Sequence, residues 1–121
     1  MRIHESTEMY LETILILSQK NEQVRAIDIA NSMGFSKPSV SIAMKKMKES
    51  NLIGIEDDGS ITLTKEGEDI ANRMYARHTW ISGWLMSLGV EEETAINDAC
   101  KIEHVISEET FQAIKQAIGN S

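Results

Sequence analysis

The sequence predicts a mainly α-helical protein with one short β-hairpin, and three observations carry that reading. Apolar residues recur at three- and four-residue spacing along most of the chain, the period of a helix with one buried face. Only residues 52–64 break the pattern, with two short β-rich runs around the turn signal Asp57-Asp58-Gly59. Glycines and capping residues fall where the helical runs stop and start.

In order, Ser6 or Thr7 is expected to cap a first helix whose stripe Tyr10, Leu11, Ile14, Leu15 and Leu17 runs to about Lys20. A second, short helix runs from Val24 to Met33, with Ile27, Ile29, Ala30 and Met33 inward and Gly34 as its stop. Ser36 caps a third helix, from about Pro38 to Ser50, and the single proline sits in its first turn, where a missing N–H costs nothing. Val40, Ala43, Met44 and Met47 form its buried face. After the hairpin, Thr64 opens a long helix to about Met86, which Gly89 closes. Glu91, Glu92 and Glu93 open the next helix, suiting its dipole. Ser107 caps the last one, to about Ile118.

A short helix, a glycine turn, a longer helix and a hairpin follow the order of a winged helix-turn-helix. The chain therefore divides into residues 1–63, a DNA-binding domain, and residues 64–121, a helical domain. Charge is distributed in the same sense. The net charge is −7, yet residues 1–50 hold seven Lys/Arg against six Asp/Glu, while residues 51–121 hold five against thirteen. Residues 36–48 contain four lysines and no acid. A basic face on an acidic molecule suits a nucleic-acid reader joined to a cation-binding half, although a solvated lysine face looks the same.

If the third helix enters the major groove, Ser36, Lys37, Pro38, Ser39 and Ile42 lie nearest the base edges, with Pro38 and Ile42 apt for thymine methyls. Arg25, Ser41, Lys45 and Lys46 are placed for phosphate contacts. The acidic wing of Glu56, Asp57 and Asp58 is expected to touch little phosphate.

One cysteine forms no internal disulfide, which fits a reducing cytosol. The start, Met1-Arg2-Ile3-His4, shows no signal-peptide pattern, and no apolar run approaches the ~20 residues that span a bilayer. The expectation is a cytoplasmic protein with no membrane partner and no small-molecule substrate.

Cys100, Glu103 and His104 stand at i, i+3 and i+4, one face of the fifth helix. A thiol, a carboxylate and an imidazole at one spot are ligands for a divalent transition metal rather than magnesium or calcium. The same residues admit other readings. Cys100 can be a small buried hydrophobe or an oxidation sensor in a metal-independent regulator. It can also be an enzyme nucleophile with His104 as base, although no oxyanion donors or third group are identifiable.

Four stretches resemble the diphtheria toxin repressor family, which includes the manganese transport regulators. They are Thr7-Glu8-Met9-Tyr10-Leu11-Glu12, the turn around Ser36-Lys37-Pro38-Ser39, Ala76-Arg77-His78-Thr79, and Asp98-Ala99-Cys100-Lys101-Ile102-Glu103-His104. The resemblance spans nearly the whole chain and implies a homodimeric, metal-activated repressor of double-stranded operator DNA, controlling metal-uptake genes. It matches Met9, Cys100, Glu103 and His104 to the primary metal site of the iron-responsive branch, and His78 to an ancillary ligand. Two other ancillary positions fall on Ser82 and Ile96, and Ile96 cannot ligate. Glu12 matches a carboxylate of the manganese branch, so the implied site is a hybrid. The chain also ends where longer members continue into an SH3-like domain. Sulfur ligands favour Fe(II) over Mn(II), with Zn(II), Co(II) and Ni(II) as further occupants. The dimer is expected through the helical second half, where Trp80, Trp84, Leu85, Met86, Phe111, Ile114 and Ile118 are more apolar surface than a small domain hides alone.

Overall fold

The computed structural model describes residues 5–118, as six helices and one two-stranded sheet. They are α1 (Glu5–Lys20), α2 (Ala26–Met33), α3 (Lys37–Glu49), β1 (Ile53–Ile55), β2 (Ile61–Leu63), α4 (Lys65–Ser87), α5 (Glu92–Val105) and α6 (Glu108–Ile118). The architecture is the predicted one: an N-terminal winged helix-turn-helix followed by helices. Packing separates two compact units, residues 1–76 and 77–121. The packing break falls inside α4, because Ile70 and Ala71 of α4 belong to the first core.

In the first unit, Leu11 and Ile14 of α1, Ile29 of α2, and Val40, Met44 and Met47 of α3 pack with Leu52, Ile53 and Ile61 of the hairpin. Gly34 takes the left-handed conformation, φ 71°, that ends α2, and the N–H groups of Gly34 and Phe35 both donate to the Ala30 carbonyl. Ser36 caps α3 by accepting from the Ser39 N–H at 3.3 Å. The strands are antiparallel, with Ile53 opposite Leu63 and Ile55 opposite Ile61. Thr64 opens α4: its hydroxyl accepts from the Gly67 N–H at 3.1 Å and donates to the Leu52 carbonyl at 3.0 Å. Gly67 is pressed so close that a Cβ there would lie 2.0 Å from the Leu52 oxygen.

Three expectations change. Helix α1 already includes Ser6 and Thr7, so neither caps it, and the position before it lies outside the described residues, as do Met1 to His4. Val24 precedes α2 instead of starting it, because its carbonyl accepts from the Ile61 N–H at 2.6 Å and so joins the hairpin. Ile27 is 44% exposed, since an eight-residue helix has room for one narrow buried stripe, which Ile29 and Ala30 occupy.

In the second unit, Ile81, Ala99 and Phe111 form a small core that Trp80, Leu85, Ile102 and Ile106 complete. Trp80 meets Phe111 edge to face at 5.8 Å. Ser107 caps α6 by accepting from the Thr110 N–H at 3.0 Å. Of the seven apolar residues expected at a dimer surface, Phe111 is buried, Trp80, Trp84, Leu85 and Ile114 are half-buried, and Met86 and Ile118 are exposed. Three of the seven, Trp80, Leu85 and Phe111, belong to this unit's own core.

Candidate metal centre and nucleic-acid interface

Glu103 is completely buried, which is unusual for a carboxylate unless it is paired. Its Oε1 lies 3.2 Å from Nε2 of His104, and its Oε2 lies 3.4 Å from Nδ1 of His78. Neither carboxylate oxygen, nor His78 Nδ1, has a hydrogen-bond partner among the described residues. The groups are thus close without being aligned as donor and acceptor. A buried carboxylate in that state costs several kcal/mol. A cation held by the same atoms removes that cost, so the residues fit a divalent metal.

Two helices position this cluster. Glu103 and His104 occupy the last turn of α5, and Cys100, half-buried, stands one turn earlier on the same face. His78 comes from α4, which also supplies Ser82 and Arg77. The hydroxyl of Ser82 donates to the Thr79 carbonyl at 3.2 Å, and Ile96 is exposed on α5. The structure therefore brings His78, Glu103 and His104 together and leaves the two ancillary positions without a ligand pair. Met9 and Glu12 lie three residues apart on α1 in the first unit, Met9 half-buried and Glu12 buried.

Arg77 was not among the candidate site residues, yet it ties several parts of this region together. It is buried, and its guanidinium donates to the carbonyls of Glu103 at 2.9 Å and Ile106 at 3.0 Å and to Glu108 at 2.7 Å. A signal did exist: Ile70, Met74, Arg77 and Ile81 follow helical spacing, so Arg77 stands where an apolar residue is expected.

On the first unit, Val40, Met44 and Met47 bury one face of α3 and turn the other to solvent. Ser36, Lys37, Pro38, Ser39, Ser41, Ile42, Lys45 and Lys46 are all exposed, and Ile42 is 60% exposed. An exposed isoleucine among lysines suits a groove-reading helix. The Ser36 hydroxyl also donates to the Ser39 hydroxyl at 2.8 Å, so these two serines are partly engaged in the cap. Arg25, half-exposed at the N-terminus of α2, is tied to the wing. Its Nε donates to the Asp58 carbonyl at 3.3 Å, and a second guanidinium nitrogen lies 3.7 Å from the Asp58 carboxylate. Asp58 is held below the usual carboxylate range chiefly by hydrogen bonds from the hydroxyl and N–H of Ser60, with Arg25 and Gln23 adding to them.

Fold and site together define a winged-helix DNA-binding regulator with a metal-binding second unit. Comparison with known proteins agrees. Residues 2–61 match the family model described as iron dependent repressor, N-terminal DNA binding domain, and residues 64–121 match iron dependent repressor, metal binding and dimerisation domain. The chain belongs to this iron dependent repressor family, that of the diphtheria toxin repressor and the manganese transport regulators, and it is a DNA-binding transcriptional regulator, not an enzyme. It is 35% identical over 106 residues to the transcriptional regulator MntR of Escherichia coli O157:H7, covering 88% of this chain and 68% of that protein. It is 31% identical over 113 residues to an uncharacterised helix-turn-helix regulator of Methanocaldococcus jannaschii, covering 92% and 90%. Among solved structures, the manganese regulator SloR superposes with a TM-score of 0.82 at 27% identity, over all of this chain and 56% of that one. A manganese-dependent transcriptional repressor in complex with manganese gives 0.84 at 26%, over 95% and 53%. No described helix is long and apolar enough to cross a membrane.

Proposed function

We propose that this chain is a divalent-metal-activated, homodimeric repressor that binds double-stranded operator DNA through α3 and controls metal-uptake genes. The observation that carries the reading is the buried Glu103 carboxylate, set between two imidazoles with no hydrogen bond to either oxygen. His78, Cys100, Glu103 and His104 are the ligands of the second unit, and Met9 and Glu12 are the ligands on α1. When bound, a divalent cation would supply positive charge beside the buried carboxyl group. With ligands on both units, the filled site restrains them to one arrangement, and the lysine-bearing helices of a dimer then fit successive major grooves about one turn apart. Moving such an equilibrium from mostly inactive to mostly active takes about 5.5 kcal/mol of differential affinity, within reach of a multi-ligand transition-metal site. Exposed Met86, and exposed Ile118 lining an open cleft of about 290 Å³ with Trp80, Gly83, Trp84 and Ser87, support dimerisation through the second unit.

The thiolate of Cys100 and the thioether of Met9 favour Fe(II) over Mn(II). Manganese is the second reading, supported by the relatives called MntR and by the structural neighbour solved with manganese. Metal analysis of anaerobically purified protein, paired with operator binding in each metal, tests both. DNA binding indifferent to chelator and to Cys100→Ala overturns the metal switch. Activation by manganese at lower free concentration than iron overturns the iron assignment alone.

A further inference from the structure

The last turn of α5 bears Glu103 and His104, where the final carbonyls of a helix run out of intrahelical N–H partners. The Ile106 N–H donates to the Ile102 carbonyl at 3.2 Å, the usual continuation. The Glu103 carbonyl accepts instead from Arg77, whose same nitrogen also donates to the Ile106 carbonyl beyond the helix end. The other arm of the guanidinium pairs with Glu108 in the first turn of α6, and the Phe111 ring lies 5.3 Å from its central carbon. A buried cation at a helix C-terminus also complements the helix dipole. His78, the next residue of α4, faces the carboxylate of the same Glu103 at 3.4 Å. Two consecutive residues of α4 therefore hold the backbone and face the side chain of one candidate ligand.

We propose that Arg77 is a positioning residue of the metal centre: its guanidinium caps the ligand-bearing end of α5, joins it to α6, and so sets where Glu103 and His104 present their donor atoms. The proposal rests on the metal-site reading above. Lysine keeps the charge but loses the planar fork that serves two carbonyls and a carboxylate at once. Groups of this kind, one step removed from the metal, typically change affinity by about 10- to 100-fold.

The test is Co(II) binding to the full chain, read by visible absorption, which reports coordination as well as affinity. Arg77→Lys is compared with Glu108→Gln, which removes one arm's charge at constant volume. The comparison also includes Ile81→Val and Ile81→Ala, which loosen the nearby core without touching the clamp. Arg77→Lys is expected to weaken Co(II) binding by about 10- to 100-fold and to shift the absorption bands. Glu108→Gln is expected to act in the same direction more weakly, and it carries the test should Arg77→Lys lose its helical circular dichroism. The Ile81 variants should lower the melting temperature while leaving the spectrum unchanged. The proposal is overturned if the clamp variants give the wild-type spectrum and affinity, or if their affinity loss tracks melting temperature along the same line as the Ile81 variants. Absence of a Co(II) spectrum in the wild type overturns the metal-site reading itself, a distinct result.

Discussion

Replacing Glu103 with glutamine separates what the buried carboxylate costs from what it provides. The side chain keeps its shape and loses its charge. In the metal-free protein the carboxyl group is fully buried, with two imidazole nitrogens at 3.2 and 3.4 Å and no hydrogen bond among the described residues. Replacing buried ionic groups at constant volume is commonly neutral or stabilising by about 1–4 kcal/mol. Because a glutamine amide still needs partners there, a gain of zero to about 2 kcal/mol is expected for Glu103→Gln. For the wild type, metal at 100 times its dissociation constant adds about 2.7 kcal/mol, which for a chain this size raises the melting temperature by about 10 °C. Thermal unfolding followed by circular dichroism, with and without Co(II) or Mn(II), reads both quantities. The variant should melt at or above the wild-type temperature without metal and show no metal-dependent rise. A metal-free variant destabilised by more than about 2 kcal/mol would refute the claim that the carboxylate is unsatisfied. A retained metal shift would falsify its role as a ligand.

Further outcomes follow from the first unit. Gly67→Ala adds a Cβ 2.0 Å from the Leu52 carbonyl oxygen, which already accepts from the N–H and hydroxyl of Thr64; overpacking and disturbed hydrogen bonds outweigh the ~1 kcal/mol helix-propensity gain of alanine, for a net loss of about 2–3 kcal/mol by urea unfolding. Asp58→Ala frees Arg25 from the wing and removes an acid from that face, so operator affinity should rise and the salt slope steepen by up to about one unit. Because the folded-state pKa of Asp58 is depressed, its contribution to stability is fully present above the unfolded value of about 3.9 and is lost only as pH falls through the lower folded value; wild-type wing anchoring should therefore be flat from pH 5 upward, and a transition near pH 6 would contradict it. Lys45→Ala and Lys46→Ala should each lower the salt slope by about 0.9 at unchanged sequence preference, whereas Ile42→Ala should alter preference at thymine positions and leave the slope alone.

The fold was legible in the sequence because its elements obey local rules. Ser36 with Pro38, Gly34, Thr64 and Ser107 each mark a boundary by capping or turn chemistry, and the structure places helix ends within a few residues of every one. The errors came where tertiary partners compete with local pattern. Val24 is apolar and helix-compatible, yet its carbonyl is taken by Ile61, thirty-seven residues on, and α2 starts two residues later. In the second half the sequence does not reveal which apolar residues meet: Trp80, Leu85 and Phe111 share a small core, while Met86 and Ile118 stay exposed.

For the candidate site the order is reversed. Cys100, Glu103 and His104 announce themselves by residue type at helical spacing, but that spacing says only that they share a face. What turns a face into a site is burial without satisfaction at Glu103, and burial is a property of the folded chain. Arg77 shows the limit from the other side. Its place on the Ile70–Met74–Ile81 stripe marks it as a polar residue where packing wants an apolar one, and such a violation is tolerated only where the group is fully engaged or the strain is useful. Here the two terminal nitrogens are engaged by the ends of two helices, one of which carries Glu103 and His104, while the buried Nε has no hydrogen-bond partner among the described residues. A charged residue inside an apolar stripe is therefore a better pointer to the elements that hold a site than the ligand-type residues alone, because it identifies which helix ends the fold spends a buried charge to fix.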